Sequence, residues 1–306
     1  MWFKNLQIYR LPVPWAISVD TLREQLARGP FVPTAGLEAS SRGWAAPRND
    51  GELVHAANGH WLLRLDIENR LLPASVINAE VRKQADALAE TQGFGPGRKQ
   101  LKELRERVTG ELLPKSHAIR SAVYLWIDPQ AGWFCVDANS PRRAEAAIEH
   151  LRHCLDTFPL TMLHTQLSPQ SAMADWLAHG EAPAGFTIDR DCSLKACGEE
   201  KSQVSYKSCP LDADEEIGGE IKAHLASGKL PTRLALTWDD RVSFVLNEKQ
   251  EVKRLAFLDL LKEEAEQNAK TADDQFDADF ALMTGELGRF LPALVAALGG
   301  EVIDES

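Results

Sequence analysis

The chain has 306 residues, 44% hydrophobic and 26% charged, which excludes the apolar-poor, highly charged composition that stays unfolded. Its 34 basic and 45 acidic side chains give a formal charge of −11, a total that counts against a polyanionic partner because phosphate binding depends on Lys and Arg. No apolar run approaches the roughly 20 residues needed to cross a bilayer. The opening Met1-Trp2-Phe3-Lys4-Asn5 has no basic stretch leading into a signal-peptide core. Five cysteines, Cys135, Cys154, Cys192, Cys197 and Cys209, are too few and too irregular for a disulfide framework. The expectation is a cytoplasmic protein with free thiols.

In chain order, a hairpin comes first, a weaker copy of a pattern that recurs below: Leu53 to Ala57, an Asn58-Gly59 turn, then His60 to Ile67. Asn-Gly between apolar runs is a strong hairpin signal. Residues 74–91 and 98–113 are rich in Ala, Leu, Glu, Lys, Arg and Gln, all good helix formers. Gly93-Phe94-Gly95-Pro96-Gly97 separates them, since three glycines and a proline in five residues cannot continue a helix. Pro73 and Pro114 bound the pair, which reads as a projecting two-helix arm.

A second hairpin follows, Val123 to Asp128 and Trp133 to Asp137 across a turn at Pro129 to Gly132. Ser140 as cap and Pro141 at the first helical position open a helix through Leu155. Residues 181–220 look irregular and polar, and are expected to form long loops. A third hairpin, Leu234 to Trp238 and Val242 to Leu246 across Asp239-Asp240, is expected to lead into a helix from about Leu255 to Asn268. The recurrence of two strands followed by a helix implies an α+β architecture with antiparallel sheets and packed helices.

The chain contains no Walker A loop, G-x-S-x-G elbow or H-E-x-x-H helix, and Gly93 to Lys99 lacks the Ser/Thr and the preceding strand of a phosphate loop. His150, His153 and Cys154 share a helix, but no second Cys/His cluster has finger-like spacing, so no metal and no cofactor are expected. Asp273, Asp274, Asp277 and Asp279 offer oxygen ligands without the spacing of a calcium loop, and Asp273 or Asp274 is better placed as a helix cap. Trp44, Trp61, Trp126, Trp133 and Trp238 sit in apolar strands and are expected in the core, while Trp2 and Trp15 are less constrained.

The charge is unevenly spread. Residues 74–122 hold nine basic and six acidic side chains, whereas residues 259–306 hold three and twelve. On the second arm helix Arg98, Lys102 and Arg105 follow the 3-to-4 spacing of one helical stripe, joined by Lys99, with Arg82 and Lys83 on the first helix. Such a stripe suits phosphate contact, and a solvated helix face has the same pattern.

The block Phe276-Asp277-Ala278-Asp279-Phe280-Ala281-Leu282-Met283-Thr284-Gly285-Glu286-Leu287 resembles the RdgC family of bacterial recombination-associated proteins. So do Trp2-Phe3-Lys4-Asn5-Leu6, Gly43-Trp44, Ala57-Asn58-Gly59, Leu112-Leu113-Pro114 and Trp126-Ile127-Asp128, so that the resemblance runs the whole length. It implies a non-catalytic protein that binds double-stranded DNA with little sequence preference, forms a ring-shaped homodimer around the duplex, limits RecA-promoted recombination and supports replication near the nucleoid. It also implies a central α+β domain of residues 1–73 plus 117–168, a helical tip of 74–116, and a C-terminal α+β base of 169–306. With that function, Lys115, Arg120, Lys201, Lys207 and Lys229 join the arm cations as expected DNA contacts, chosen by charge alone. Phe94, His117 and Ile119 are expected at the dimer interface, with local packing the equal alternative. Two other readings stand beside it: an acidic module of residues 259–306 that acts on RecA directly, and a metal-dependent nuclease using Asp273 to Asp279.

Overall fold

The structure, a computed structural model, describes residues 1–196, 202–211, 216–258 and 271–302. The elements in the first half are β1 (Gln7–Arg10), α1 (Val19–Leu26), β2 (Ser40–Ala45), β3 (Val54–Ala57), β4 (His60–Arg70), α2 (Ala74–Gln92), α3 (Arg98–Leu112), β5 (Ala118–Asp128), β6 (Trp133–Val136) and α4 (Pro141–Cys154). Then come β7 (Thr161–Met162), α5 (Pro169–His179), β8 (Phe186–Ala196), β9 (Gln203–Tyr206), α6 (Glu216–Ala226), β10 (Lys229–Trp238), β11 (Val242–Asn247), β12 (Val252–Phe257) and α7 (Ala272–Ala297). The fold is α+β, with two antiparallel sheets.

The larger sheet runs β2-β4-β5-β6-β1-β7, and β3 pairs with β4 beside β2. Asn58 and Gly59 both take positive φ, 53° and 82°, as a two-residue hairpin turn between β3 and β4 demands. Register explains the long apolar runs of β4, β5 and β6. Leu62, Trp126 and Cys135 stand in line with Ile8 across the sheet, while Trp61, Ile127, Phe134 and Tyr9 form the next row with opposite orientation. The first row packs toward α5, α7 and the smaller sheet, the second toward α1 and α4. Both faces are buried, so the strands read as continuous hydrophobic segments rather than alternating ones.

The smaller sheet runs β12-β11-β10-β8-β9. One face, with Leu234, Leu236, Phe244, Leu246 and Phe257, joins the core under α7 through Phe280, Phe290 and Leu294. The other face is open and polar. The N-terminal strand ties the sheets together, because Leu6 exchanges backbone hydrogen bonds with Val252 at 2.8 and 3.1 Å.

Several expectations are corrected. Residues 181–220 contain β8, β9 and the start of α6, whose polar residues include those on the open face of the smaller sheet. Leu255 to Phe257 belong to β12, paired with β11, and not to a helix; residues 259–268 lie outside the described residues. The cap of α7 is Thr271, with Asp274 closing the capping box. Trp15 is buried, 5.9 Å from Trp61 and 6.1 Å from Phe158. The five strand tryptophans are buried as expected.

Among the described residues one helix, α7, is long and apolar enough to cross a bilayer, but its Phe280, Met283, Leu287, Phe290, Leu291 and Leu294 are buried inside the protein.

Candidate nucleic-acid interface

The arm leaves the sheet at the end of β4 and returns into β5, so its two helices continue the central β-hairpin. Gly93 ends α2 with a positive φ of 79°, its N–H donating to Ala89 O at 2.8 Å. No residue of α2 is fully buried, and α3 buries only Leu104 and Val108. The pair is also cross-linked by side chains: Arg105 donates to Asn78 Oδ1 at 2.9 Å and Arg107 to Gln84 Oε1 at 3.1 Å.

At its root the arm is held by Arg70. Its guanidinium donates to the carbonyls of Leu113, Pro114 and Ser116 at 3.2–3.3 Å and to Thr34 O at 3.1 Å. These include carbonyls at the end of the second arm helix that a helix terminus leaves without partners. Sequence reasoning missed this clamp; the available signal was an arginine at the last position of a strand entering a helical insert.

Arg98, Lys99, Lys102 and Arg105 are exposed along α3, and Arg82 and Lys83 along α2. Among the described residues neither Arg98 nor Lys99 has a carboxylate within ion-pair distance; Lys102 stands 3.9 Å from Glu106 and Lys83 4.0 Å from Glu80, all on the surface. Phe94 lies at the tip, 65% exposed. Lys115, His117 and Ile119 are exposed at the root, with Leu71 and Val76 also presenting apolar surface nearby in the chain.

The remaining candidates divide. Arg120 is half-exposed and engaged: its Nε donates to Asp66 Oδ2 at 2.7 Å, and its guanidinium lies 4.0 Å over the Phe31 ring. Lys207, just beyond β9, and Lys229, at the start of β10, belong to the smaller sheet rather than the arm. Lys207 is exposed, and Lys229 Nζ lies 3.0 Å from His224 Nδ1. Lys201 and Cys197 lie outside the described residues.

The α7 carboxylates are largely committed within the chain. Asp273 and Asp277 pair with Arg48 at 3.5 and 3.1 Å, Asp279 with the N-terminal ammonium, and Glu286 with Arg241 and Arg289. Among the described residues no three His, Cys, Asp or Glu side chains gather as a metal site. His150 packs on Trp44 at 5.6 Å, and burial lowers its pKa.

An α+β protein with a clamped, cation-bearing helical arm is thus defined. It belongs to the RdgC family: the family described as "Putative exonuclease, RdgC" matches residues 1–301. The chain is 67% identical over 304 residues to "Recombination-associated protein RdgC" of Dechloromonas aromatica (strain RCB), covering 99% of both chains. It is 49% identical over 302 residues to the protein of that name from Janthinobacterium sp. (strain Marseille), again over 99% of each, and 48% identical to that of Herminiimonas arsenicoxydans.

Proposed function

We propose that this chain is a non-catalytic protein that binds double-stranded DNA without sequence preference. It acts as a ring-shaped homodimer around the duplex, limits RecA-mediated recombination and supports replication in the cytoplasm at the nucleoid. The observation that carries the reading is the exposed row Arg98, Lys102 and Arg105 with Lys99 on a projecting helix, in a protein whose net charge is −11. Cations standing out on an arm against such a total suit contact with backbone phosphates, which fix position and carry no sequence information. The name shared by the relatives, recombination-associated, fits a partner of this kind.

The acidic-module alternative and the nuclease alternative both draw on the C-terminal carboxylates. The pairing of Asp273, Asp277, Asp279 and Glu286 with cations of the same chain argues for a structural use of those groups. The division into a central domain, a 74–116 tip and a 169–306 base is proposed with it, as are dimer contacts through Phe94, His117 and Ile119 and phosphate contacts through the other named cations.

Replacing Arg98, Lys102 and Arg105 with Glu tests the reading. Loss of duplex binding together with loss of inhibition of strand exchange is expected; inhibition that survives without DNA binding would favour direct action on RecA.

A further inference from the structure

We propose that the open face of the smaller sheet carries a second phosphate-contact site, in which Lys195, Arg233 and Arg254 meet the backbone of duplex DNA. The inference rests on the reading of the chain as a duplex binder and assigns part of that binding to a surface away from the arm.

The face is built irregularly, and the irregularities converge. Between Pro231 and Arg233 the pairing of β10 with β8 slips, so that two residues of β10 oppose Ser193 alone. Between Leu234 and Leu236 it slips again, and Asp189 to Asp191 of β8 oppose Ala235 alone. Between Ser243 and Val245 the pairing of β11 with β12 also breaks, and there Arg254 takes a φ of 49°. A side-chain-bearing residue adopts that conformation only at a cost, and bulges of this sort re-aim side chains and gather beside functional sites. Asp191, Arg233 and Arg254, one from each irregular stretch, line the same hollow of about 530 Å³ together with Lys195.

The electrostatics point the same way. Arg233 is only partly exposed, and its Nε donates to the hydroxyl of Ser193 at 2.8 Å, a neutral partner. Among the described residues neither Arg233 nor Lys195 has a carboxylate within ion-pair distance. Arg254 is 67% exposed and stands 3.4 Å from Asp191, which also accepts from the Ser208 N–H at 2.8 Å. Lys253 is already held by Glu251 at 3.0 Å and Asn139 O at 2.9 Å, so its charge is met within the protein. Asp191 and Glu248 are the acids at the hollow, fewer than its cations.

The arrangement suits an extended anionic ligand. Lys195, Arg233 and Arg254 lie on β8, β10 and β12, and β8 and β12 are three strand spacings apart, about 14 Å at the usual separation. Arg254 reaches back as far as Asp191 of β8, so the three cations share one solvent-facing surface, and a phosphodiester strand laid over the sheet offers it phosphates in succession. Guanidinium forks suit phosphate oxygens.

The test is duplex binding by fluorescence anisotropy, with a labelled double-stranded oligonucleotide titrated at several salt concentrations. The proteins compared are the full chain, Lys195→Ala, Arg254→Asn, the double variant, and Arg233→Gln. Asn tolerates the left-handed backbone at position 254, and thermal melting checks that each variant is folded. The slope of log affinity against log salt is expected to become shallower by about one unit for each phosphate-contacting cation removed, equally for unrelated sequences. A folded double variant with the parent's affinity and slope, while the arm variant loses binding, overturns this inference and leaves the proposed function standing. A parent chain that binds no duplex overturns both.

Discussion

Asp66 has no solvent exposure, and Arg120 donates to it from the neighbouring strand, Nε to Oδ2 at 2.7 Å, while Arg64 donates to Oδ1 from its own strand at 2.7 Å. A buried carboxylate held by two half-exposed arginines locks β4 to β5 where the arm departs. Arg120 is an expected DNA contact on charge alone; what the fold gives it is this structural partner.

Replacing Asp66 with Ala is therefore expected to cost about 2 kcal/mol, below the value for a fully buried pair because both arginines reach solvent. Arg120→Ala should lower the melting temperature more than it changes duplex affinity. Denaturant unfolding and anisotropy on the same preparation check both. An unchanged midpoint for Asp66→Ala would contradict the locking role.

Arg70→Ala should loosen the root of the arm without unfolding the sheets, since it removes the donor shared by Leu113, Pro114, Ser116 and Thr34. Leaving partly buried carbonyls unpaired costs about 1–3 kcal/mol. Hydrogen exchange is expected to speed up across α2 and α3 and to stay slow in β5 and β6. Uniform acceleration through the chain would contradict a local clamp.

On the arm face, Arg98→Ala with Lys102→Ala should leave stability within about 0.5 kcal/mol, because neither side chain packs into a core. Duplex affinity should weaken to the same degree for unrelated sequences, with a salt slope shallower by about two units. Sequence-dependent loss would contradict contact with the backbone alone.

His55 on β3 is buried edge-on against Phe276 and Phe280 of α7, with Nε2 3.6 Å from Asp277. Burial is the largest influence and lowers its pKa from 6.5; Asp277 and Asp50 oppose that and Arg48 adds to it. The unfolded chain therefore takes up the proton more readily than the folded one. Stability should fall as pH drops below about 6.5 toward the lower folded value. His60 and His150, also lowered by burial, act in the same direction. His55→Gln should lessen the drop in melting temperature between about pH 7.5 and 5.5. A drop as large as the parent's would assign the effect to the other two histidines.

Where the sequence was legible, a local signal and the tertiary outcome agreed. Gly93 to Gly97 had to break the arm whatever packed on it, and Asn58-Gly59 had to turn. The apolar runs of β4 and β5 revealed their strands because both faces of the sheet are covered. The smaller sheet was harder to read. In Phe186 to Ala196 a bulge breaks the period of two, and Asp189 and Asp191 give the segment a loop-like polar composition. Val252 to Phe257 is a strand because β11 pairs with it, and the bulge at Arg254 hides its period of two. The candidate cations were found by composition on the arm. Arg233 and Arg254 carry no local signal, because only sheet register brings them to one hollow.

The proposal that the protein encircles duplex DNA is tested most directly by topology. The protein is loaded at low salt onto a nicked circular duplex and onto a linear fragment of equal length, and both are then washed in high salt. The account predicts retention on the circle and loss from the linear fragment, because a closed ring slides off an end but not off a circle once its phosphate contacts are screened. Equal loss from both would contradict it.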